Sequence, residues 1–157
     1  MTTQRLIDEL TAARGELFET LDAVTPESMT TPGLVGEWSA RDLIAHLGYW
    51  AGHAVEVIHA VEEGRAEEVG AGRPPVDEVN ATVVRVARDT SVATVRTREA
   101  ASVEALLERL RRLDPSLLDA RLPHHGVTLE GAIREDGADH YRGHAQWLRR
   151  TLGEGRS

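Results

Sequence analysis

The chain has 157 residues, with 18 basic and 26 acidic side chains, a net charge of −8 and no cysteine. That length supports one domain over residues 1–157 with a core that needs no disulfide or metal staple, and the missing cysteine excludes thiol catalysis or cysteine ligation by the protein itself. The polar opening MTTQRLIDEL and the absence of any apolar run near the ~20 residues of a membrane span point to a cytoplasmic protein with no membrane partner. Every basic residue is an arginine set among acids, and a negative chain repels a phosphate backbone, so no nucleic-acid partner is expected.

The first predicted helix runs from Thr3 to Asp22, where Leu6, Leu10, Ala13, Leu17 and Leu21 recur at the spacing of a bundle stripe. Pro26 and Pro32 bracket an irregular stretch that Gly33 and Gly36 keep open as far as Trp38, which either lines a site or plugs the end of the bundle. Ser39 then caps a second helix and Asp42 returns the bond as a short capping-box acid. That helix continues through Trp50, Ala54 and Ile58 to about Glu62. His46 falls between Leu43 and Trp50 on the stripe to be buried, so it points inward. His53 lies on the same face about 10 Å further along the axis, too far to share an ion with His46; it either touches a substrate in the bundle cavity or packs. His59 belongs to another face and reads as surface.

Glu63 to Pro75 is rich in Gly, Glu and Pro and reads as a long connection. A third helical segment spans Val76 to Leu113, with a potential break at Asp89 to Ser91; a strand over Ala81 to Val86 finds no partner. Asn80, near its start, either faces the pocket or serves in capping and packing. The arginines at 85, 88, 96, 98, 109, 111 and 112 read as solvated flanks, any one of which could anchor an acidic substrate. Asp114-Pro115 ends the segment, and Leu117, Leu118 and Leu122 pack beneath a loop closing at Pro123. His124 and His125 follow in that loop and could carry protons if its tip reaches the site.

Thr128 caps a last helix whose inward stripe runs Leu129, Ile133, Asp136, His140, His144, Trp147. An apolar face thus turns polar for two turns, and each buried polar group without a partner costs about 1 to 3 kcal/mol. His140 and His144 stand one turn apart, close enough for both imidazoles to reach one ion, and His46 is the obvious third donor. The alternative is a set of buried neutral histidines bonded to carboxylates. Asp136 is the candidate to accept an N–H from His140 and fix its tautomer, with Asp139 a weaker one.

The stretches GEWSARDLIAHL (Gly36 to Leu47) and DHYRGHAQWLR (Asp139 to Arg149), with VDEVNA (Val76 to Ala81) between them, resemble the DinB/YfiT-like family of metal-binding four-helix proteins. The resemblance implies an all-α four-helix bundle, up-down-down-up, with a long crossover between helices two and three. It also implies that His46, His140 and His144 are the ligands of one divalent metal. The family includes mycothiol-dependent maleylpyruvate isomerases and bacillithiol-type S-transferases. A neighbouring branch, the DfsB/colibactin self-resistance proteins, is similar in GEWSARDLIAHLGYW, VDEVNA and HYRGH, and is linked to disarming reactive electrophiles.

Three neutral imidazoles suit zinc, nickel or another late divalent ion. The expected function is a cytoplasmic detoxification enzyme: a transferase or isomerase in which the metal activates mycothiol or another small thiol toward an electrophilic small molecule. An arginine-only basic set with Ala, Val and Gly bias fits GC-rich coding, which favours mycothiol among such thiols. The alternatives are a hydrolase, with or without metal, and a non-catalytic binding or sequestration protein. Trp38, Trp50, His53 and Asn80 are the further pocket candidates, and a homodimer is open to these helices.

Overall fold

The computed structural model describes residues 2–154 and contains, among them, six α-helices and one short β-hairpin. Helix α1 (Thr3–Leu21) is capped by the Thr2 hydroxyl and buries the expected stripe of Leu6, Leu10, Ala13, Leu17 and Leu21. Helix α2 (Ala40–Glu62) begins at the anticipated capping box: the Ser39 hydroxyl accepts from the Asp42 N–H at 3.2 Å and the Asp42 carboxylate from the Ser39 N–H at 3.1 Å. Leu43, Ile44, Leu47, Ala51 and Ile58 are fully buried, which makes α2 the central element of the core.

The segment from 76 to 113 divides where sequence allowed it. Helix α3 (Val76–Arg88) stops at Asp89, and the Ser91 hydroxyl caps helix α4 (Val92–Arg112) by accepting the Thr94 N–H. Trp50 meets Asn80 and Asp42 meets Arg88, so α3 runs back along α2. Gly48 faces Glu99 and Glu62 faces Arg109, so α4 runs parallel to α2. The crossover between the two parallel bundle helices therefore includes α3 as well as the Gly-rich connection. Arg14 meets Glu99, and Arg96 lies over the Phe18 ring, which sets α1 antiparallel to α4.

Strands β1 (Arg121–Leu122) and β2 (Val127–Thr128) form a two-residue antiparallel ladder that the sequence did not announce. Leu118 and the strand residue Leu122 are buried. The last helix is not continuous. Helix α5 (Leu129–Asp136), capped by Thr128, ends at Gly137, and α6 (Ala138–Glu154) completes an up-down-down-up bundle beside α1. A Cβ on Gly137 would lie 2.8 Å from the Ile133 carbonyl oxygen, so only glycine fits the break. No helix among the described residues is long and apolar enough to cross a membrane.

Helices α2 and α4 pack tightly at Gly48, where a Cβ would meet the Glu99 Cα at 2.9 Å and its Cβ at 3.1 Å. One of these atoms is backbone, so relief requires moving a helix. Gly48→Ala is expected to cost about 1 to 3 kcal/mol as an overpacked core, measured as a lowered urea midpoint with an unchanged slope.

Candidate metal centre

Each inward histidine is placed by ordinary helix construction. The capping box starts α2 so that His46 falls on its second turn among Leu43, Leu47 and Trp50; the break at Gly137 restarts the chain so that His140 and His144 occupy the first two turns of α6. The three rings converge. Nε2 of His46 and Nε2 of His140 are 2.8 Å apart, and one donor nitrogen from each of the three histidines lies within 4.8 Å of the others. His46 is buried and the other two are half-buried. Ring centroids stand 4.6 Å apart for His46 and His140, 5.0 Å for His140 and His144, and 5.5 Å for His46 and His144.

Burial first, and then the neighbouring His144 ring, push the His46 imidazole down to about 4, with the Asn80 amide opposing. Burial, followed by the two facing imidazoles, takes His140 to about 3, and burial also lowers His144. All three are therefore neutral at pH 7 and carry a lone pair. The Nδ1 atoms of His46 and His140 are buried without a hydrogen-bond partner. Two imidazoles facing through Nε2 can share only one proton, so no protonation pattern satisfies the set. A cation accepting the facing lone pairs removes the conflict at Nε2 and sets the protons on Nδ1, and M–N bonds of about 2.0 to 2.1 Å put ligand nitrogens roughly 3 to 4 Å apart. The residues fit a metal.

Trp38 reaches this cluster, its ring centroid 4.7 Å from that of His46, so it lines the triad. Trp50 is buried and its indole N–H donates to Asn80 Oδ1 at 2.8 Å, which puts Asn80 beside the site in a packing bond. Asp136 does not serve His140. Its carboxylate accepts from His53 Nδ1 at 2.6 Å, because the interruption at Gly137 removes the one-turn relation that a continuous helix would have given residues 136 and 140. His53 is buried, and its Nε2 contacts the Arg73 guanidinium. Asp139 is exposed and pairs with Arg142, at 3.7 Å. His59 is exposed and paired with Glu63. His124 packs on Gly70 and His125 on Glu135, at the hairpin, and neither belongs to the histidine cluster.

Two features escaped the sequence reading. Arg73 gives no pattern signal, since it lies in an irregular connection. Glu99 does give one: it interrupts the stripe Val95, Val103, Leu106, Leu110 as the histidines interrupt theirs, and only 1% of it is exposed. Arg14 donates to both of its carboxylate oxygens at 2.7 Å and the Tyr141 hydroxyl donates to one at 2.7 Å. This joins α1, α4 and α6 one residue from His140. A cavity of about 510 Å³ lies between α2, α3 and α4, and none of the three clustered histidines is in its wall.

A family model described as the DinB superfamily matches residues 9–148. The chain belongs to the DinB superfamily. No curated protein matches it. Among solved structures, an uncharacterised protein from Escherichia coli UTI89 is similar at TM-score 0.79 and 15% identity, over 99% of this chain and 95% of that one. The colibactin self-resistance protein ClbS, in complex with a dsDNA, is similar at TM-score 0.76 and 18% identity, over 97% of this chain and 96% of that one. These likenesses are of fold. The ClbS complex corrects the exclusion of nucleic acid drawn above from charge: a structural neighbour of this DinB-superfamily chain sits on double-stranded DNA. Net charge averages over a whole surface, whereas phosphate contacts depend on local cations.

Proposed function

We propose that this DinB-superfamily chain is a metal-dependent detoxification enzyme in which His46, His140 and His144 hold one divalent ion, zinc or nickel, and serve the transfer of a small thiol to an electrophilic small molecule. The observation that carries the reading is the convergence of three neutral imidazoles within 4.8 Å, two of them with a buried Nδ1 that has no partner. A bound divalent ion would act there as a Lewis acid that lowers the pKa of a thiol or water entering an open position. The protein's own part is to present three uncharged donors from two helices and to shield one side of them with Trp38. With no cysteine in the chain, the sulfur nucleophile has to arrive as a diffusible thiol of the mycothiol type. The description of ClbS as a self-resistance protein supports protection against a reactive electrophile as the biological context.

Elemental analysis of purified, untagged protein tests the reading. Wild type is expected to carry near one equivalent of metal, and His46→Ala and His144→Ala near none. Thiol transfer to an electrophile such as chlorodinitrobenzene should follow metal content and require added thiol. Protein that takes up no zinc or nickel at neutral pH defeats the proposal; hydrolysis without thiol moves it to the water-activating form.

A further inference from the structure

His53 and Asp136 are not needed by the histidine cluster, yet they are the most chemically loaded pair outside it. His53 is 6% exposed, and its Nδ1 lies 2.6 Å from the Asp136 carboxylate across the α2/α5 contact. Arg73, whose guanidinium can only donate, contacts Nε2. Both neighbours impose one tautomer: the proton sits on Nδ1, and Nε2 carries the lone pair. An imidazole held this way by a carboxylate is poised as a general base.

The position of His53 separates this pair from a simple packing contact. On α2, His53 lies at the edge between the face of His46 and Trp50 and the face of Tyr49 and Glu56. It is shared by two hollows. One is the cavity of about 510 Å³ between α2, α3 and α4, walled by Val83, Val86, Ala87 and Val95. The other, of about 360 Å³, is lined by the charged side chains of Glu56, Arg65, Glu68 and Arg73. A hollow lined by charged side chains and a largely apolar one thus meet at a single oriented imidazole, with a guanidinium beside it.

We propose that His53, Asp136 and Arg73 form a second catalytic centre, independent of the metal site, that hydrolyses an uncharged, largely apolar ester bound in the α2/α3/α4 cavity. Water enters from the charged hollow and its oxygen bonds to the ester carbonyl carbon, while its proton passes to His53 Nε2. The carbonyl electron pair moves onto oxygen, and the Arg73 guanidinium turns from Nε2 to pair with that oxyanion. On collapse the bond to the alcohol oxygen breaks, and the leaving oxygen takes the proton from Nε2. Ester and water become carboxylic acid and alcohol. Asp136 touches no reacting atom; it is a positioning residue that keeps the tautomer and stabilises the transient imidazolium.

The test uses the full chain, stripped with a chelator, and p-nitrophenyl butyrate as the uncharged ester. Turnover is expected to survive chelation. His53→Gln and Asp136→Asn should each lower kcat by about 100-fold or more with KM unchanged, in variants whose circular dichroism and melting match wild type. Arg73→Ala, a change on a partly exposed connection that leaves the α2/α5 contact intact, should lower kcat by about 100-fold and keeps the test decisive if His53→Gln fails to fold. No turnover by folded wild type, turnover lost on chelation, or turnover unchanged by Arg73→Ala overturns the proposal.

Discussion

Metal-free protein is expected to lose stability steadily as the pH falls from about 6.5 toward 4, and metal-loaded protein to resist this loss. In the folded state His46 titrates at about 4 and His140 at about 3, against 6.5 for the same groups in an unfolded chain. Below 6.5 the unfolded state therefore binds protons that the folded state refuses. Because stability rises with pH wherever the unfolded chain holds more protons, acid drives unfolding through this window and pH above 6.5 adds nothing. The shift at His46 alone corresponds to roughly 3 kcal/mol when complete. Glu9, Glu63 and Asp114, the carboxylates whose values are lowered, act only below their ordinary values of 4.5, 4.5 and 3.8, so a decline between pH 6.5 and 5 belongs to the histidines. Urea unfolding in chelator from pH 8 to 5 measures the slope. His46→Leu should flatten it, and zinc at a thousandfold excess over its Kd should add about 4 kcal/mol. A metal-free protein equally stable at pH 8 and 5 contradicts the buried neutral imidazoles.

Arg14→Met is expected to cost about 3 to 5 kcal/mol, the range for leaving one partner of a buried ion pair uncompensated. Glu99 is 1% exposed and its two oxygens accept from Arg14 Nε and Nη2, each at 2.7 Å. Removing the guanidinium leaves a carboxylate with only the Tyr141 hydroxyl for a partner. That hydroxyl stays protonated, since burial and the adjacent Glu99 both push it well above 10. The guanidinium itself keeps a third of its side chain in solvent and lies 4.6 Å over the Phe18 ring, so the opposite change, Glu99→Leu, should cost less. The double variant should recover most of the loss, because an apolar pair of similar volume replaces two charges. Thermal unfolding of the four proteins gives the coupling. Since Tyr141 follows His140 directly and precedes His144 by three residues on α6, Arg14→Met should also weaken zinc binding. Strict additivity of the two substitutions would refute the paired arrangement.

The helices were legible because their apolar residues recur at helical spacing and their ends carry chemistry that acts locally. Ser39 with Asp42, and Thr128 with Gly131, form the caps their spacing specifies. The three clustered histidines were legible for the opposite reason: each interrupts a stripe that would otherwise be apolar, and burial of a polar group demands a partner. Glu99 carried the same signal and went unread.

What the sequence by itself determined about this protein is its all-α character and the apolar stripes of its helices, the inward direction of His46, His140 and His144, and the restriction of its cations to arginine. Only the tertiary structure decided the pairings. Asp136 was placed one helical turn before His140, but the Ile133 carbonyl 2.8 Å from any Cβ at residue 137 marks a break, and beyond it Asp136 belongs to His53. Arg73 reaches the same imidazole from a connection with no periodicity to follow. Helical spacing fixes neighbours within a few residues of one another, whereas contacts between elements depend on how faces of separate helices meet, and no local pattern records that.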